Sequence, residues 1–200
     1  MHVTCPTCAR AYSLALFSYG RTISCACGER IGTALLEREL AVAGERRFAA
    51  DSMLRGLARW LRLLGFDTVW EPQVADALLV RRAVDERRII LTQDRSLPRE
   101  WRVSGIQLLA ADRPRDQLRE VVAAFGLGPE IRLFTRCSRC NTPLLPAERE
   151  KVLDRVPARA RPTDRDVARC PTCGRVYWEG SHTARIRREV ADVGGAGGPA

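Results

Sequence analysis

The sequence predicts an α/β fold with a mainly parallel sheet and helices on both of its faces. One observation predicts this fold, and a second predicts what flanks it. Between residues 48 and 125, short apolar runs alternate with stretches of helical periodicity, and this alternation is typical of parallel strands joined by right-handed helical crossovers. Eight cysteines lie outside that region in close pairs. We therefore expect a cysteine-rich module on either side of the sheet along the chain.

The first half of the α/β region predicts a strand, a helix and a second strand. Residues 48–50 are an apolar strand candidate, and Met53 begins a helical pattern of apolar residues that continues to Leu64 and closes at Gly65. Residues 68–70 are then predicted as the second strand. The order is that of a βαβ unit.

The second half continues the alternation. Asp76 is expected to begin a helix that runs to about Glu86. Residues 89–92 are predicted as a buried strand, residues 106–109 as a fourth strand, and residues 117–125 as a further helix. The apolar side of the helix that begins at Asp76 is expected to hold Leu78, Leu79, Val80 and Val84.

The cysteine pairs predict two structural zinc ribbons. Two thiolates separated by one or two residues can bind the same tetrahedral ion. Redox dithiols or free buried thiols are the alternatives, but no βαβ pattern surrounds any pair as a thioredoxin-like site requires. Four thiolates leave no open position for water, so each zinc is expected to be structural. The N-terminal ligands are Cys5, Cys8, Cys25 and Cys27, and the C-terminal ligands are Cys137, Cys140, Cys170 and Cys173.

The expected organisation has four segments. Residues 1–46 form the N-terminal ribbon and a linker helix at about 37–47, residues 47–128 the α/β domain, residues 129–185 the C-terminal ribbon, and residues 186–200 a disordered tail. The net charge is +9, and residues 129–185 contribute +5 of it from twelve basic and seven acidic side chains. This excess favours an anionic partner such as nucleic acid. For the arginine-rich insert at 155–165, a solvated charged loop and contact with phosphate are equal alternatives.

Acidic residues follow the predicted strands. Asp51 follows the first strand, Asp94 the third, and Asp76 begins the helix after the second. The carboxyl ends of parallel strands share one edge of a sheet, so these carboxylates are expected to lie near one another and to bind Mg²⁺ or Mn²⁺. Helix capping alone would explain any one of them. Asp112 is a weaker candidate because Pro114 indicates a simple helix start.

Basic residues near these acids are candidate phosphate contacts. Arg55, Arg59 and Arg62 share one side of the first predicted helix, opposite its leucines, and of these Arg55 and Arg59 are the candidate phosphate contacts. A solvated helix face is the alternative. His182 is a further candidate for substrate contact, with a structural role as its alternative.

Residues 48–185 resemble the PIN-like ribonuclease family found as the C-terminal domain of the Mut-seven exonuclease. The resemblance rests on four motifs: D-S-M-L-R-G-L-A-R-W-L-R-L-L-G-F-D, I-L-T-Q-D-R-S-L, F-T-R-C-S-R-C-N-T-P-L and C-P-T-C-G-R-V-Y-W-E-G-S-H. It implies a PIN-like sheet, a divalent metal held by Asp51, Asp76 and Asp94, and a C-terminal zinc ribbon. Gln93 stands where the family often has Arg, and Ser96 where it often has a further Asp, which leaves one or two catalytic metals open.

The function expected from these residues is metal-dependent hydrolysis of RNA phosphodiester bonds. The alternative is a non-catalytic zinc-ribbon protein that binds RNA or the ribosome and retains the PIN-like fold, and a third reading is a zinc-dependent scaffold for protein partners. No apolar run approaches the roughly 20 residues that span a bilayer, and the N-terminus has no secretory signal. We therefore expect a cytoplasmic protein with RNA as its partner and no membrane association, with tRNA or the ribosome as further expected partners.

Overall fold

The computed structural model describes residues 2–32, 46–152 and 167–178, together with Ile186. Most of the predicted linker helix lies outside these ranges, and its last residue, Arg47, belongs to a strand instead. His182, residues 155–165 and the predicted tail apart from Ile186 also lie outside the described residues.

The N-terminal segment consists of two antiparallel hairpins. The first pairs β1 (His2–Thr4) with β2 (Ala11–Ser13), and the second pairs β3 (Thr22–Ser24) with β4 (Arg30–Gly32). A 3₁₀ segment at Leu14–Gly20 joins the hairpins. The apolar residues buried together here are Cys5, Phe17, Cys25 and Ile31. A module this small has a correspondingly small core, which is typical of metal-stabilised folds.

The central sheet has the predicted parallel strands. They are β5 (Arg47–Ala50), β6 (Asp67–Trp70), β7 (Ile89–Thr92) and β8 (Ile106–Leu108), in the order β6-β5-β7-β8. Strand β7 pairs in parallel with both β5 and β8, and Ala50 lies opposite Leu91. The mixed α/β class with a parallel sheet is confirmed.

Four α-helices occur in the described part of the chain: α1 (Arg55–Leu63), α2 (Asp76–Glu86), α3 (Leu97–Glu100) and α4 (Pro114–Phe125). Helix α2 has the predicted bounds. Helix α4 begins at Pro114 rather than at residue 117, because the fixed φ of proline suits the first helical turn. The short helix α3 was not predicted, since four residues show no periodicity.

The C-terminal segment contributes a small antiparallel sheet. Its strands are β9 (Leu145–Ala147), β10 (Val167–Arg169) and β11 (Val176–Trp178), with β10 in the centre. The turn between β10 and β11 contains Cys170 and Cys173.

The chain forms two compact units. One consists of Met1–Arg55 and Trp70–Leu109, and the other of Gly56–Val69 and Ala110–Ala200. The first unit buries Phe48, Ile90 and Leu91 of the sheet, and the second buries Leu61 and Leu64.

Two side chains are not where the helical pattern places them. Leu78 is 59% exposed, although it was expected on the apolar side of α2. Arg62 was expected on a solvated face but is buried. Its guanidinium donates to the carbonyls of Thr68 at 2.7 Å and Arg139 at 2.8 Å. The second unit therefore covers a wider side of α1 than the leucine spacing indicates, and the buried charge has hydrogen-bond partners there.

In the part of the chain that the structure describes, no helix is both long enough and apolar enough to cross a lipid bilayer.

Candidate functional site

Asp51 lies at the carboxyl end of β5 and is almost completely buried. Its backbone N–H donates to the carbonyl of Leu91 at 3.0 Å, which continues the β5–β7 ladder to the edge of the sheet. One carboxylate oxygen, Oδ1, accepts from the Ser52 amide at 2.6 Å and from the Ser52 hydroxyl at 3.2 Å. Asp51 thus caps the 3₁₀ turn Ser52–Leu54, as the capping alternative predicts, but its other oxygen is left for a different partner.

Thr92 connects Asp51 to Asp94. Its hydroxyl donates to Asp51 Oδ2 at 2.6 Å and accepts from the backbone N–H of Asp94 at 2.9 Å. Thr92 is the last residue of β7 and is fully buried. Because β5 and β7 are adjacent parallel strands, their carboxyl ends bring these two acids to one edge, as the sequence predicts. The role of Thr92 itself was missed, because a threonine at the end of a strand has no distinctive sequence signal.

Asp94 is held by Ser96. Oδ1 accepts from the Ser96 amide at 2.7 Å, and Oδ2 accepts from the Ser96 hydroxyl at 2.8 Å. Ser96 also precedes helix α3 as its N-cap residue. The side chain that stands in place of the family's additional acid therefore orients Asp94.

Asp76 is the first residue of α2, and its environment disfavours the ionised carboxylate. Burial raises its pKa, and the negative charges of Asp51, Asp94 and Glu100 raise it further. Capping does not explain this residue, because Ala75 is the N-cap of α2 and makes no side-chain capping bond. Glu100, at the end of α3, was not predicted as a neighbour, because its proximity depends on the unpredicted helix.

We call the edge of the sheet that carries Asp51, Asp76 and Asp94 the acidic edge, and its negative charges are not neutralised by the neighbouring side chains that the structure describes. Among the described residues, no basic side chain forms an ion pair with Asp51, Asp76 or Asp94. The oxygens of the three carboxylates do not all lie within 4.8 Å of one another. Among the described residues, only the two cysteine clusters have their ligand atoms that close together. Carboxylate oxygens are the donors that Mg²⁺ and Mn²⁺ prefer, and Mg²⁺ usually retains several waters. The donor set therefore fits a hydrated divalent ion.

The raised pKa of Asp76 gives a direct prediction. In an NMR titration, the side-chain carboxyl of Asp76 is expected to titrate above the ordinary aspartate value of about 3.9. Asp51→Asn should lower that pKa, because it removes one neighbouring negative charge. A pKa raised in the folded state means that Asp76 favours folding most below its unfolded pKa, and that this contribution is lost as the pH rises through the folded pKa. An Asp76 pKa unaffected by Asp51→Asn would contradict the placement of these charges.

Arg55 is the first residue of α1, four positions after Asp51 in the chain. Its guanidinium is 5.6 Å from the centre of the Trp70 ring, and Trp70 Nε1 donates to the Ser52 carbonyl at 2.9 Å. Trp70 thus joins the predicted phosphate contact to the residue that follows Asp51. Arg59 is exposed one turn further along α1. Asp112 is not among the charges that act on Asp76, and its carbonyl accepts from Gln117 Nε2 at 3.4 Å in the second unit.

The N-terminal cysteines form one compact cluster. The sulfurs of Cys5, Cys8, Cys25 and Cys27 all lie within 4.8 Å of one another. The Cys5–Cys27 sulfurs are 3.7 Å apart and the Cys8–Cys25 sulfurs 3.4 Å apart. Four thiolates about 2.3 Å from one tetrahedral ion would be separated by about 3.8 Å. The cluster therefore has the size of a Cys₄ zinc site.

The C-terminal cysteines form a second cluster of the same kind. Their four sulfurs also lie within 4.8 Å of one another, and those of Cys137 and Cys173 are 3.7 Å apart. None of the eight cysteines forms a disulfide. The structure therefore brings together both predicted sets of ligands in arrangements that could hold zinc.

A tyrosine donates to one thiol in each cluster. Tyr12 donates to Cys25 Sγ at 3.0 Å, and Tyr177 donates to Cys137 Sγ at 3.1 Å. The Cys27 amide and the Tyr12 hydroxyl lower the pKa of Cys25 to about 6. Burial opposes ionisation of Cys137, but the bonds from Tyr177 and nearby amides lower its pKa to about 6 as well. Each cluster thus favours one thiolate, the form that binds metal.

The tyrosines belong to a repeat that the cysteine spacing alone did not reveal. Residues 5–12 read C-P-T-C-A-R-A-Y and residues 170–177 read C-P-T-C-G-R-V-Y. Each lies on a hairpin with equivalent pairing, since Val3 is opposite Tyr12 and Ala168 is opposite Tyr177. In the N-terminal cluster the repeated motif contains the first cysteine pair, and in the C-terminal cluster it contains the second pair. Comparison of residues after each pair would have shown it.

Comparison with known protein families assigns most of the chain to a family. A family model described as "Mut7-C RNAse domain" matches residues 46–190, nearly three quarters of the chain. The matched region contains the acidic edge and the C-terminal cysteine cluster, whereas the N-terminal cluster lies outside it. No curated protein and no solved structure matches the chain significantly.

Proposed function

Because the chain belongs to the Mut7-C RNAse domain family, a nuclease-like family, we propose that it is a metal-dependent ribonuclease that hydrolyses RNA phosphodiester bonds. The observation that carries the proposal is the Thr92 hydroxyl, which links Asp51 and Asp94 at the edge of the sheet, with the charges of both acids acting on Asp76. Residues 47–128 are the proposed PIN-like nuclease domain, and the segments before and after it are proposed to bind zinc.

In this proposal Asp51, Asp76 and Asp94 hold Mg²⁺ or Mn²⁺. When bound, such an ion lowers the pKa of a coordinated water and neutralises charge on the phosphate. The protein's own contribution is to orient the ligands. Thr92 fixes one oxygen of Asp51, and Ser96 fixes the carboxylate of Asp94. Burial raises the pKa of Asp76, and the negative charges of Asp51, Asp94 and Glu100 raise it further; a bound cation would offset both effects, which supports this assignment.

Arg55 and Arg59 are the proposed phosphate contacts. The Trp70 ring restrains the Arg55 guanidinium, which lowers the entropic cost of ordering a long side chain on the substrate. Arg59 lies one helical turn away on the same side of α1. His182 remains a proposed substrate contact outside the described residues.

The two cysteine clusters are proposed to bind one structural zinc each. With four sulfurs in each cluster, neither site offers an open coordination position for catalysis. The net charge of +5 in residues 129–185 supports a role for the C-terminal segment in holding RNA by salt-sensitive phosphate contacts. Ribosomal RNA and tRNA are proposed as classes to test, in a cytoplasmic setting.

One observation favours the alternative, a non-catalytic RNA- or ribosome-binding protein. Both carboxylate oxygens of Asp94 already accept hydrogen bonds from Ser96, where the family often has an additional acid. Hydrogen bonds to both oxygens already stabilise the negative charge of Asp94, so a metal ion is less necessary here than beside a fourth carboxylate.

A cleavage assay beside a binding assay separates the two functions. The zinc-loaded protein is expected to cut end-labelled single-stranded RNA in Mn²⁺, and to stop when Mn²⁺ is left out. Filter binding of the same RNA should weaken steeply as the salt concentration rises, because phosphate contacts release counterions. Retention of RNA with no turnover at any Mn²⁺ concentration would establish the binding protein instead. Binding that is insensitive to salt would point to a scaffold for protein partners.

A further inference from the structure

Thr22 of the N-terminal ribbon caps the end of helix α3. Its side chain is 7% exposed, and its hydroxyl lies 3.0 Å from the carbonyl oxygens of both Arg99 and Glu100. The last carbonyls of a helix have no partner within the helix. The hydroxyl of Thr22, 77 positions earlier in the chain, therefore supplies a hydrogen bond that the helix cannot make for itself.

Neighbouring ribbon residues are attached to the same region. The backbone N–H of Arg102 donates to the Gly20 carbonyl at 2.7 Å. Arg21 forms an isolated antiparallel bridge with Trp101, and its guanidinium is 5.9 Å from the centre of that buried ring. A further contact joins this segment to α2, because the Tyr19 ring lies 5.9 Å from the guanidinium of Arg81. The contacts with α3 are therefore part of a wider attachment inside the first compact unit.

The opposite end of α3 holds Asp94. Ser96, the N-cap residue of α3, binds one carboxylate oxygen of Asp94 through its amide and the other through its hydroxyl. Helix α3 has only four residues, and so short a helix is not stable without tertiary support. Its two ends are thus coupled, with Thr22 at one and the Asp94 carboxylate at the other.

We propose that Thr22 is a positioning residue for cation binding at Asp94. By capping α3, the N-terminal ribbon holds Ser96 in the place from which it orients the Asp94 carboxylate. The inference rests on the proposed function, because it assigns the cation to the acidic edge. It goes beyond the family match, which begins at residue 46. It gives the N-terminal ribbon a role in the chemistry of the neighbouring domain, which it contacts through Thr22, Gly20 and Arg21.

The test is Mn²⁺ binding, followed by electron paramagnetic resonance on the full, zinc-loaded chain. Thr22→Val keeps the shape of the side chain and removes the hydroxyl. We expect it to weaken Mn²⁺ binding by about threefold to tenfold, below the roughly tenfold to hundredfold effect of partners that contact a metal ligand directly, because Thr22 acts through α3. Thr22→Ser restores the hydroxyl and should restore the affinity. Thr7→Val is the matched control, because Thr7 is exposed in the same ribbon and contacts Glu29 rather than α3.

A second readout separates positioning from a merely structural role. In RNA cleavage, Thr22→Val should raise the Mn²⁺ concentration needed for half-maximal rate, while the KM for RNA at saturating Mn²⁺ stays the same. A variant that melts earlier but binds Mn²⁺ with wild-type affinity would overturn the inference, as would Mn²⁺ binding that Asp94→Asn leaves unchanged. Wild-type protein that binds Mn²⁺ through Asp94 without cleaving RNA would remove the proposed function, while weaker binding in Thr22→Val would still support this inference.

Discussion

Asp51→Asn and Asp94→Asn, each made alone, are expected to lower the rate of RNA cleavage in Mn²⁺ by at least about a hundredfold. Each change removes a negative charge from the proposed cation site, and even partners that only orient metal ligands usually contribute tenfold to a hundredfold. The neutral amide also leaves one fewer anionic ligand for a hard cation. The measurement is single-turnover cleavage of labelled RNA, with Mn²⁺ affinity determined in parallel.

The effect on folding is separable from the effect on chemistry. In Asp51→Asn, one side-chain position becomes an NH₂ donor that faces either the Ser52 amide or the Thr92 hydroxyl, both donors to Asp51 in the native chain. With the NH₂ towards the Ser52 amide, two donors face each other; with it towards Thr92, the hydroxyl can accept, but its buried hydrogen loses Asp51 as acceptor. Either orientation therefore costs about 1–3 kcal/mol for a buried group. Zinc content should remain at the wild-type level, because neither cysteine cluster includes this residue.

Asp85→Asn is the matched control for charge. Asp85 lies on α2 in an exposed i,i+4 ion pair with Arg81 at 3.6 Å, and such pairs contribute at most about 1 kcal/mol. The same aspartate-to-asparagine change there should leave cleavage within about twofold of wild type. Equal cleavage by wild type, Asp51→Asn and Asp94→Asn would remove the acidic edge from the mechanism.

Zinc removal is expected to have the largest effect on stability. The purified chain should contain about two zinc ions, one for each Cys₄ cluster. Cys5→Ser and Cys170→Ser should each reduce the content to about one, because the two residues are buried members of different clusters. Structural zinc contributes apparent free energies of about 10–16 kcal/mol in small zinc-dependent domains. We therefore expect each variant to lose the ordered structure of its own segment.

Elemental analysis together with hydrogen exchange distinguishes the two sites. Cys170→Ser should increase exchange in β10 and β11, whereas Cys5→Ser should increase it in β1 and β2. Thr172→Ser is the control, because it changes a non-ligand of the C-P-T-C turn and keeps a hydroxyl able to contact Thr142. One zinc per wild-type chain, with Cys5→Ser unchanged in metal content, would show that the N-terminal cluster does not bind zinc.

The periodic features of the chain were predictable. The alternation of apolar runs and helical patterns gives the strand from Ile89 to Thr92 and the helix from Asp76 to Glu86 as the structure has them. The helix has eleven residues, which is long enough for its apolar spacing to repeat, and the strand is a continuous apolar run that is buried throughout. Leu78 and Arg62 depart from that pattern, because the side of a helix that is covered depends on which other elements pack on it.

The candidate site was predictable only as a set of residues. Asp51 and Asp94 follow strands that any parallel sheet would place at one edge, so their proximity follows from topology. The hydroxyl of Thr92 between them, the Ser96 bonds to Asp94 and the charge of Glu100 near Asp76 depend on side-chain contacts between separate elements. A sequence pattern with a period of two or four residues contains no information about such contacts.

The sequence by itself determined the fold class, the eight cysteines in two sets of four and the acids that end the strands. These features follow from local periodicity and from spacings of a few residues, which bonding geometry limits directly. Only the tertiary structure decided that Tyr12 and Tyr177 bind the cysteine clusters, that Arg62 is buried, and that the N-terminal ribbon caps α3. Those contacts join residues 13 to 78 positions apart, and at such separations the packing of the whole unit selects the partners.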